Sequence, residues 1–263
     1  MSEPDEIAII NKRHWEKAVK EGAGCTRPHL DLDIEAYRAY RERETRILPK
    51  PYCDDPVSRL VMEDIQGKEV LCLAAGGGQQ SAVYSLLGAQ VTVVDLAEGQ
   101  LDGDRKAAAH YGYEVTTIQG DMRDLSYLDD ESFDLVYGTG MAFVPDVRQV
   151  YSGVAKVLRA GGLYRVDFTN PATEFVEPHS WDGEGYRITV PYTERVQRPE
   201  KDGDAIQFRH YMSDIFNGLL AMGFSIQHIQ DSPLDQPDPQ ARPGSWAHWL
   251  TYVMGFVIVA KKG

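Results

Sequence analysis

Only three cysteines, Cys25, Cys53 and Cys72, occur in 263 residues, and their wide spacing and odd number speak against a disulfide framework and a structural zinc site. Basic residues are scarce as well. Against 40 Asp and Glu stand 27 Lys and Arg, a formal net charge of -13, so sequence-independent attraction to nucleic-acid phosphates is not expected. The longest apolar run, Tyr252 to Ala260, is under half of the roughly 20 residues a membrane helix needs. The first residues, with Glu3, Asp5 and Glu6, lack the basic-then-apolar order of a signal peptide. No His/Cys/Asp/Glu cluster has metal-ligand spacing, and no Gly-x-Ser-x-Gly elbow is present. Neither metal-assisted nor serine chemistry is therefore expected. What remains is an acidic chain of ordinary globular composition, expected in the cytoplasm, without membrane or nucleic-acid partners and suited to small neutral or cationic ligands. Its oligomeric state is left open.

From Lys68 onward strand-like and helix-like segments alternate, the pattern of an α/β fold whose mostly parallel sheet is covered by helices on both faces. Val70 to Ala74, Val91 to Asp95, Glu114 to Ile118, Phe133 to Tyr137 and Leu163 to Phe168 read as strands. Helices are expected at Ser81 to Leu87, closed by Gly88, and at Leu101 to Tyr111, closed by Gly112. A further one starts from Asp146 as N-cap, carries Val147, Val150, Tyr151, Val154, Val157 and Leu158 on one face, and ends at Gly161-Gly162. Tyr211 to Met222 is a helix stopped by Gly223, and Phe224 to Ile229 and Met254 to Ala260 are closing strands. Two regions break the alternation. Residues 1–60 read as a helical cap over the core of 61–170 and 210–263. Residues 171–209 read as a hairpin insertion, with alternating Tyr186, Ile188, Val190 and Tyr192, a turn at Lys201 to Asp204, then Ile206 and Phe208.

The chemistry is written in the loops after the strands, because an open parallel sheet binds its ligand beyond the C-terminal strand ends. Ala74 to Gln80 follow the first strand, Asp95-Leu96 the second, Gly120-Asp121-Met122 the third and Gly138-Thr139-Gly140 the fourth. A carboxylate such as Asp95 at the tip of the second strand can hold a ribose diol. A pyrophosphate cofactor wants Gly-x-Gly-x-x-Gly, but the string here is Ala74-x-Gly76-x-x-Gln79 and the third glycine is missing. Three successive glycines, Gly76 to Gly78, instead let backbone approach a phosphate-free ligand closely.

With these motifs, residues 70–170 resemble a class I S-adenosylmethionine-dependent methyltransferase of the broad group that includes the ubiquinone and menaquinone methyltransferases. The Val157 to Gly162 turn adds to the likeness. The resemblance implies a Rossmann-like seven-stranded sheet with its last strand antiparallel, S-adenosylmethionine as cofactor, and a small-molecule methyl acceptor. It implies that Asp95 binds the ribose, Leu96 covers the adenine, and Asp121 accepts from the adenine amino group with Met122 beside the ring. Trp15, Ala74, Ala75, Gly76, Gly78, Gln79, Gln80, Gln100, Gly138 and Thr139 complete the expected cofactor set. Two departures stand out. The group often carries an acidic residue where Cys72 stands and glycine where Ala74 stands, so Gln79, Gln80 or carbonyls near Ala74 and Thr139 are expected to meet the methionine amino group.

Each of these residues also has a plainer reading. Trp15 either packs or closes over the sulfonium through its aromatic face. Tyr37 and Tyr40, three apart on one helical face, either pack or touch substrate, and Phe143 is expected in the substrate wall. His179, Trp181 and His210 face the substrate or belong to a solvated hairpin; Trp246, His248 and Trp249 read as packing. Methyl transfer requires no fixed catalytic side chain, so none is assigned. If a base is used, His14, His29, Tyr37 and His179 are equal candidates. No Asn-Pro-Pro-Tyr motif follows the fourth strand, which disfavours nucleic-acid and protein acceptors and leaves N- or O-methylation of a small molecule ahead of C-methylation. The alternatives are a cofactor-binding regulatory protein without turnover and a nicotinamide-dependent oxidoreductase.

Overall fold

Short apolar runs rich in valine and leucine make the central strands of this protein, and these are largely buried on both faces as a parallel sheet requires. A computed structural model describes residues 5–51, 55–171, 176, 180–189, 191–193, 197–198, 205–231, 241–245, 248–249, 251 and 255–263. Strands β1 (Glu69–Leu73), β2 (Gln90–Asp95), β3 (Val115–Gln119), β4 (Phe133–Gly138) and β5 (Leu158–Phe168) run parallel in the order β3-β2-β1-β4-β5. β6 (Gln197–Arg198) and β7 (Gln207–Phe208) form a separate antiparallel pair. β8 (Phe224–Asp231) and β9 (Phe256–Lys262) complete the seven-stranded sheet, with β9 inserted antiparallel between β5 and β8.

The helices cover both faces. α1 (Glu6–Glu21), α2 (Ile34–Arg41) and α3 (Pro56–Met62) precede the sheet, and α1 packs on α5 (Glu98–Tyr111) while α2 packs on α4 (Gln80–Leu86). α6 (Val147–Val157) and α7 (Met212–Ala221) lie together against the core that holds Leu71, Leu73, Val136, Tyr151 and Tyr164. Asp146 caps α6 by accepting from the Arg148 amide at 3.0 Å, as the sequence predicts. The largest departures from the expected boundaries are at the start of α5 and at the junction of α6 with β5. α5 begins at Glu98 rather than Leu101, because a carboxylate from α1 serves its first turn. α6 ends at Val157, and the chain enters β5 at once, so Gly161-Gly162 form a local turn inside the strand, Gly161 with a φ of 77°.

Within residues 171–209, Val176 and Ile188 form an isolated antiparallel bridge, and Trp181 and Tyr186 pack on His248. The expected turn at Lys201 to Asp204, together with Cys53, His179, Val190 and Trp246, lies outside the described residues. Among the described residues no helix is long and apolar enough to cross a membrane.

Candidate functional site

Strand order reverses at β1, whose neighbours are β2 and β4, and the loops after these strands part to leave a crevice. The cavity there measures about 220 Å³. Of the residues expected to bind cofactor, the structure brings Trp15, Ala74, Ala75, Gly76, Gln79, Gln80, Asp95, Leu96, Gln100, Met122 and Thr139 into its wall, joined by Phe143 and by Asn11, Cys25, Val94, Gly120 and Gly140. Among the described residues that wall carries one carboxylate, Asp95, and no lysine, arginine or histidine. A pyrophosphate would find no counter-charge in it, whereas a cationic, phosphate-free ligand bearing a diol suits it.

Asp95 is buried at the tip of β2, where its two oxygens accept from the Gly76 amide at 3.1 Å and the Ala97 amide at 2.9 Å. Each oxygen keeps a lone pair for a ligand hydroxyl. Burial pushes its carboxyl up to about 6, against the pull of those two amides. The turn has no room for a side chain at Gly76, because a Cβ there would come within 2.7 Å of the Gln100 Cβ and 3.0 Å of an Asp95 oxygen. The Gln100 amide oxygen is buried beside it with no hydrogen-bond partner among the described residues, an acceptor available to a ligand. Ala74, where the family often has glycine, takes a φ of 52°. A left-handed alanine is strained by roughly 1–2 kcal/mol, so the turn holds this geometry in spite of its residue.

The other expected residues fall outside this cavity. Gly78 is pressed onto α5 with a φ of 76°, its would-be Cβ 2.4 Å from the Gly103 carbonyl oxygen, and Gly138 faces the Tyr164 ring. Asp121 lines a second cavity of about 940 Å³ that shares Leu96 and Gly120 with the first. Its carboxylate accepts from the Arg123 guanidinium, through Nε at 3.0 Å and Nη2 at 2.6 Å, and Arg123 in turn grips Asp5, the N-cap of α1. That cation holds the Asp5 carboxyl down to about 2.

Tyr37 and Tyr40 do not reach the crevice. Tyr37 is 1% exposed among Leu48, Val57 and Tyr84, and its hydroxyl donates to the Lys50 carbonyl at 2.8 Å; Tyr40 packs on the same cluster. Their shared helical face meets the core, and neither residue lines the crevice. His210 is buried and bonds the Met141 carbonyl at 2.8 Å, which anchors the turn carrying Phe143, and burial holds its imidazole below the usual range. His14 meets the Trp15 ring edge-on, and His29 bonds the Gly78 carbonyl through its backbone.

Asn11 and Glu16 escape sequence reasoning, and the expected residues around them make contacts that no spacing reports. Asn11, buried on α1, accepts from the Ile206 amide at 2.7 Å and donates to the Phe143 carbonyl at 3.2 Å, tying three chain regions together above the crevice. Trp15, one turn further on, meets Phe143 edge-on at 5.5 Å. Glu16 accepts from the Glu98 amide at 2.8 Å, a carboxylate at the positive end of α5. Gln79 spends its amide nitrogen on the Gly24 and Arg27 carbonyls, which stitches the segment after α1 to the glycine turn. Thr139 donates to Asp167, itself paired with Arg165, whose guanidinium lies 4.2 Å over the Tyr137 ring. A polar residue at the position of Asn11, on the face of α1 that carries Ala8 and Trp15, is the signal that was available for the first of these.

Comparison with known proteins places these observations in a family. A methyltransferase domain family matches residues 70–162. An uncharacterized methyltransferase, YbaJ, of Bacillus subtilis is 31% identical over 231 residues, covering 84% of this chain and 88% of its own. A demethylmenaquinone methyltransferase of Clavibacter sepedonicus is 33% identical over 114 residues, 43% of this chain and 46% of its own. Among solved structures, an S-adenosylmethionine dependent methyltransferase from Mesorhizobium loti superposes with a TM-score of 0.64 at 23% identity, covering 79% of this chain and 96% of that one, a likeness of fold.

Proposed function

We propose that this chain, which belongs to the methyltransferases and is an S-adenosylmethionine-dependent enzyme, methylates a small molecule at nitrogen or oxygen. The oxidoreductase and the protein without turnover give way to that membership. The observation that carries the acceptor class is the closure of the crevice by α1, with Asn11 bonded across it and Trp15 seated on Phe143. A pocket so roofed, in a protein of net charge -13, suits a compact neutral or cationic acceptor better than a polymer. In this reading residues 1–60 cap the core of 61–170 and 210–263, and 171–209 supply further acceptor contacts.

When bound, S-adenosylmethionine supplies an electrophilic methyl carbon on a good leaving group. Asp95 would hold the ribose diol, Leu96, Met122 and Asp121 the adenine end, and the Gly76 backbone with Gln100 the remaining polar atoms. Trp15 would lie toward the sulfonium and Phe143 toward the acceptor. The protein's main task is then alignment and exclusion of water, and orientation of this sort is worth roughly 7–11 kcal/mol. Among the described residues the cavity wall offers no histidine, lysine or tyrosine as a general base. Such a wall suits an acceptor that brings its own lone pair, as a weakly basic amine or a phenolate does, which favours nitrogen or oxygen over carbon.

The test is incubation of the enzyme and S-adenosylmethionine with panels of amines, phenols and carbon acids, read by mass spectrometry. Methylated amines or phenols are expected. Products found only at carbon, or only on protein or nucleic acid, would overturn the proposal.

A further inference from the structure

The glycine turn rests on a buried carboxylate that the cofactor contacts do not use. Asp104, on α5 and fully buried, accepts from the Gly77 amide at 3.1 Å, the Gly78 amide at 3.0 Å and the Ser81 hydroxyl at 2.5 Å. The neighbouring Gly103 lets α5 come this close, since a Cβ on it would lie 2.8 Å from the Gly77 carbonyl. Gly77 also donates to the Gln100 carbonyl at 3.0 Å, so one turn of α5 holds the peptide twice. In a trans peptide the carbonyl points opposite to the N–H that follows it. With the Gly77 N–H turned toward Asp104, the Gly76 carbonyl is turned away from α5, and Gly76 lines the cavity.

We infer that Asp104 is a positioning residue for the cofactor: it fixes the glycine turn from α5, supplying from that helix the carboxylate that β1 lacks at Cys72. The inference rests on the reading of the crevice as the S-adenosylmethionine site. Burial raises the Asp104 carboxyl to about 6, while Ser81 and the two amides pull it down. The groups facing it are Ser81 on α4, Cys72 on β1, Tyr113 after α5 and Asp95 at the end of β2. None of these is a cation. Protonation of Asp104 converts one acceptor into a donor facing an N–H, so the turn loosens as pH falls through that range.

Asp104→Asn imitates this protonated state at every pH. Binding of S-adenosylhomocysteine is measured by calorimetry for wild type and variant at pH 8 and pH 5, with circular dichroism confirming the fold. The variant is expected to bind about tenfold more weakly than wild type at pH 8, and within about threefold of it at pH 5. Asp95 titrates in both proteins, and loss of the Asp104 charge eases its ionisation in the variant, so the acid-side curve of Ser81→Ala, which keeps that charge, is measured beside it; general damage to the fold would leave the ratio independent of pH. Equal affinities at pH 8, or the same ratio at both pH values, would overturn the inference. Wild type that does not bind at all would sink the cofactor reading itself. If Asp104→Asn does not fold, Ser81→Ala serves alone: removing that donor raises the Asp104 carboxyl further, so the acid-side loss of binding must move to higher pH, and an unmoved curve counts against Asp104.

Discussion

The opening βαβ unit and helix α1 face the same crevice but are held in different ways. In the first, backbone amides of three successive glycines are taken up by two carboxylates, Asp95 and Asp104, within a stretch of 29 residues from Gly76 to Asp104. In the second, side chains reach across the fold: Asn11 to residues 132 and 195 positions away, and Glu16 to one 82 positions away. A grip built from local backbone is rigid and tolerates few residue types. A roof built from long-range side-chain pairs can be varied without disturbing the grip, which suits a protein that keeps one cofactor and selects an acceptor.

The comparison is broken most directly at Asp95. Asp95→Ala removes the expected diol contact and leaves the Gly76 and Ala97 amides without their acceptor, so S-adenosylhomocysteine is expected to bind about 100-fold more weakly by calorimetry. Stability should lose a pH dependence that Asp95 supplies. The folded protein holds the Asp95 proton more tightly than the unfolded chain, about 6 against 3.8, so this group's contribution is most favourable below the lower value and declines as pH rises through the higher one. That decline is worth roughly 3 kcal/mol for a shift of this size. The alanine variant should therefore show a smaller fall in melting temperature between pH 4 and pH 8 than wild type. Unchanged binding would remove Asp95 from the grip.

A smaller effect, confined to the roof, is expected for Asn11→Ala. The loss of two hydrogen bonds, with the Ile206 amide left buried and unmet, should cost about 2 kcal/mol and raise hydrogen exchange along α1. Cofactor affinity should fall only a few-fold, because the glycine turn keeps both carboxylates. If Asn11→Ala weakened the cofactor as severely as Asp95→Ala, the separation of grip from roof would fail.

This contrast also explains what could be read from the sequence. The strands, the glycine turn, Asp95 and the Asp146 cap are local patterns, visible in a few adjacent residues. Asp104 was visible only as an anomaly: it shares the buried side of α5 with Leu101, Ala107 and Ala108, where an unpaired carboxylate is costly and must have donors. Asp121 was legible as a loop carboxylate, but its pairing with Arg123 and Asp5 joins α1 to the loop after β3, and no spacing reports that. The α6 boundary was misplaced because a glycine pair is a stop signal for a helix and equally a turn inside a bulged strand, and the pairing with β4 decides between them.

Tyr37 and Tyr40 show the limit of such patterns, since a spacing of three states which side chains share a face and nothing about what that face meets. Here it meets the core beneath α4. Tyr37→Phe therefore tests the smallest effect: the ring keeps its place among Leu48, Val57 and Tyr84, while the Lys50 carbonyl loses its donor. A loss of about 1 kcal/mol in denaturant unfolding is expected. Binding of S-adenosylhomocysteine and the acceptor KM should not change, because this side chain has no access to the crevice. An altered acceptor KM at full stability would return Tyr37 to the substrate side and extend the roof to α2.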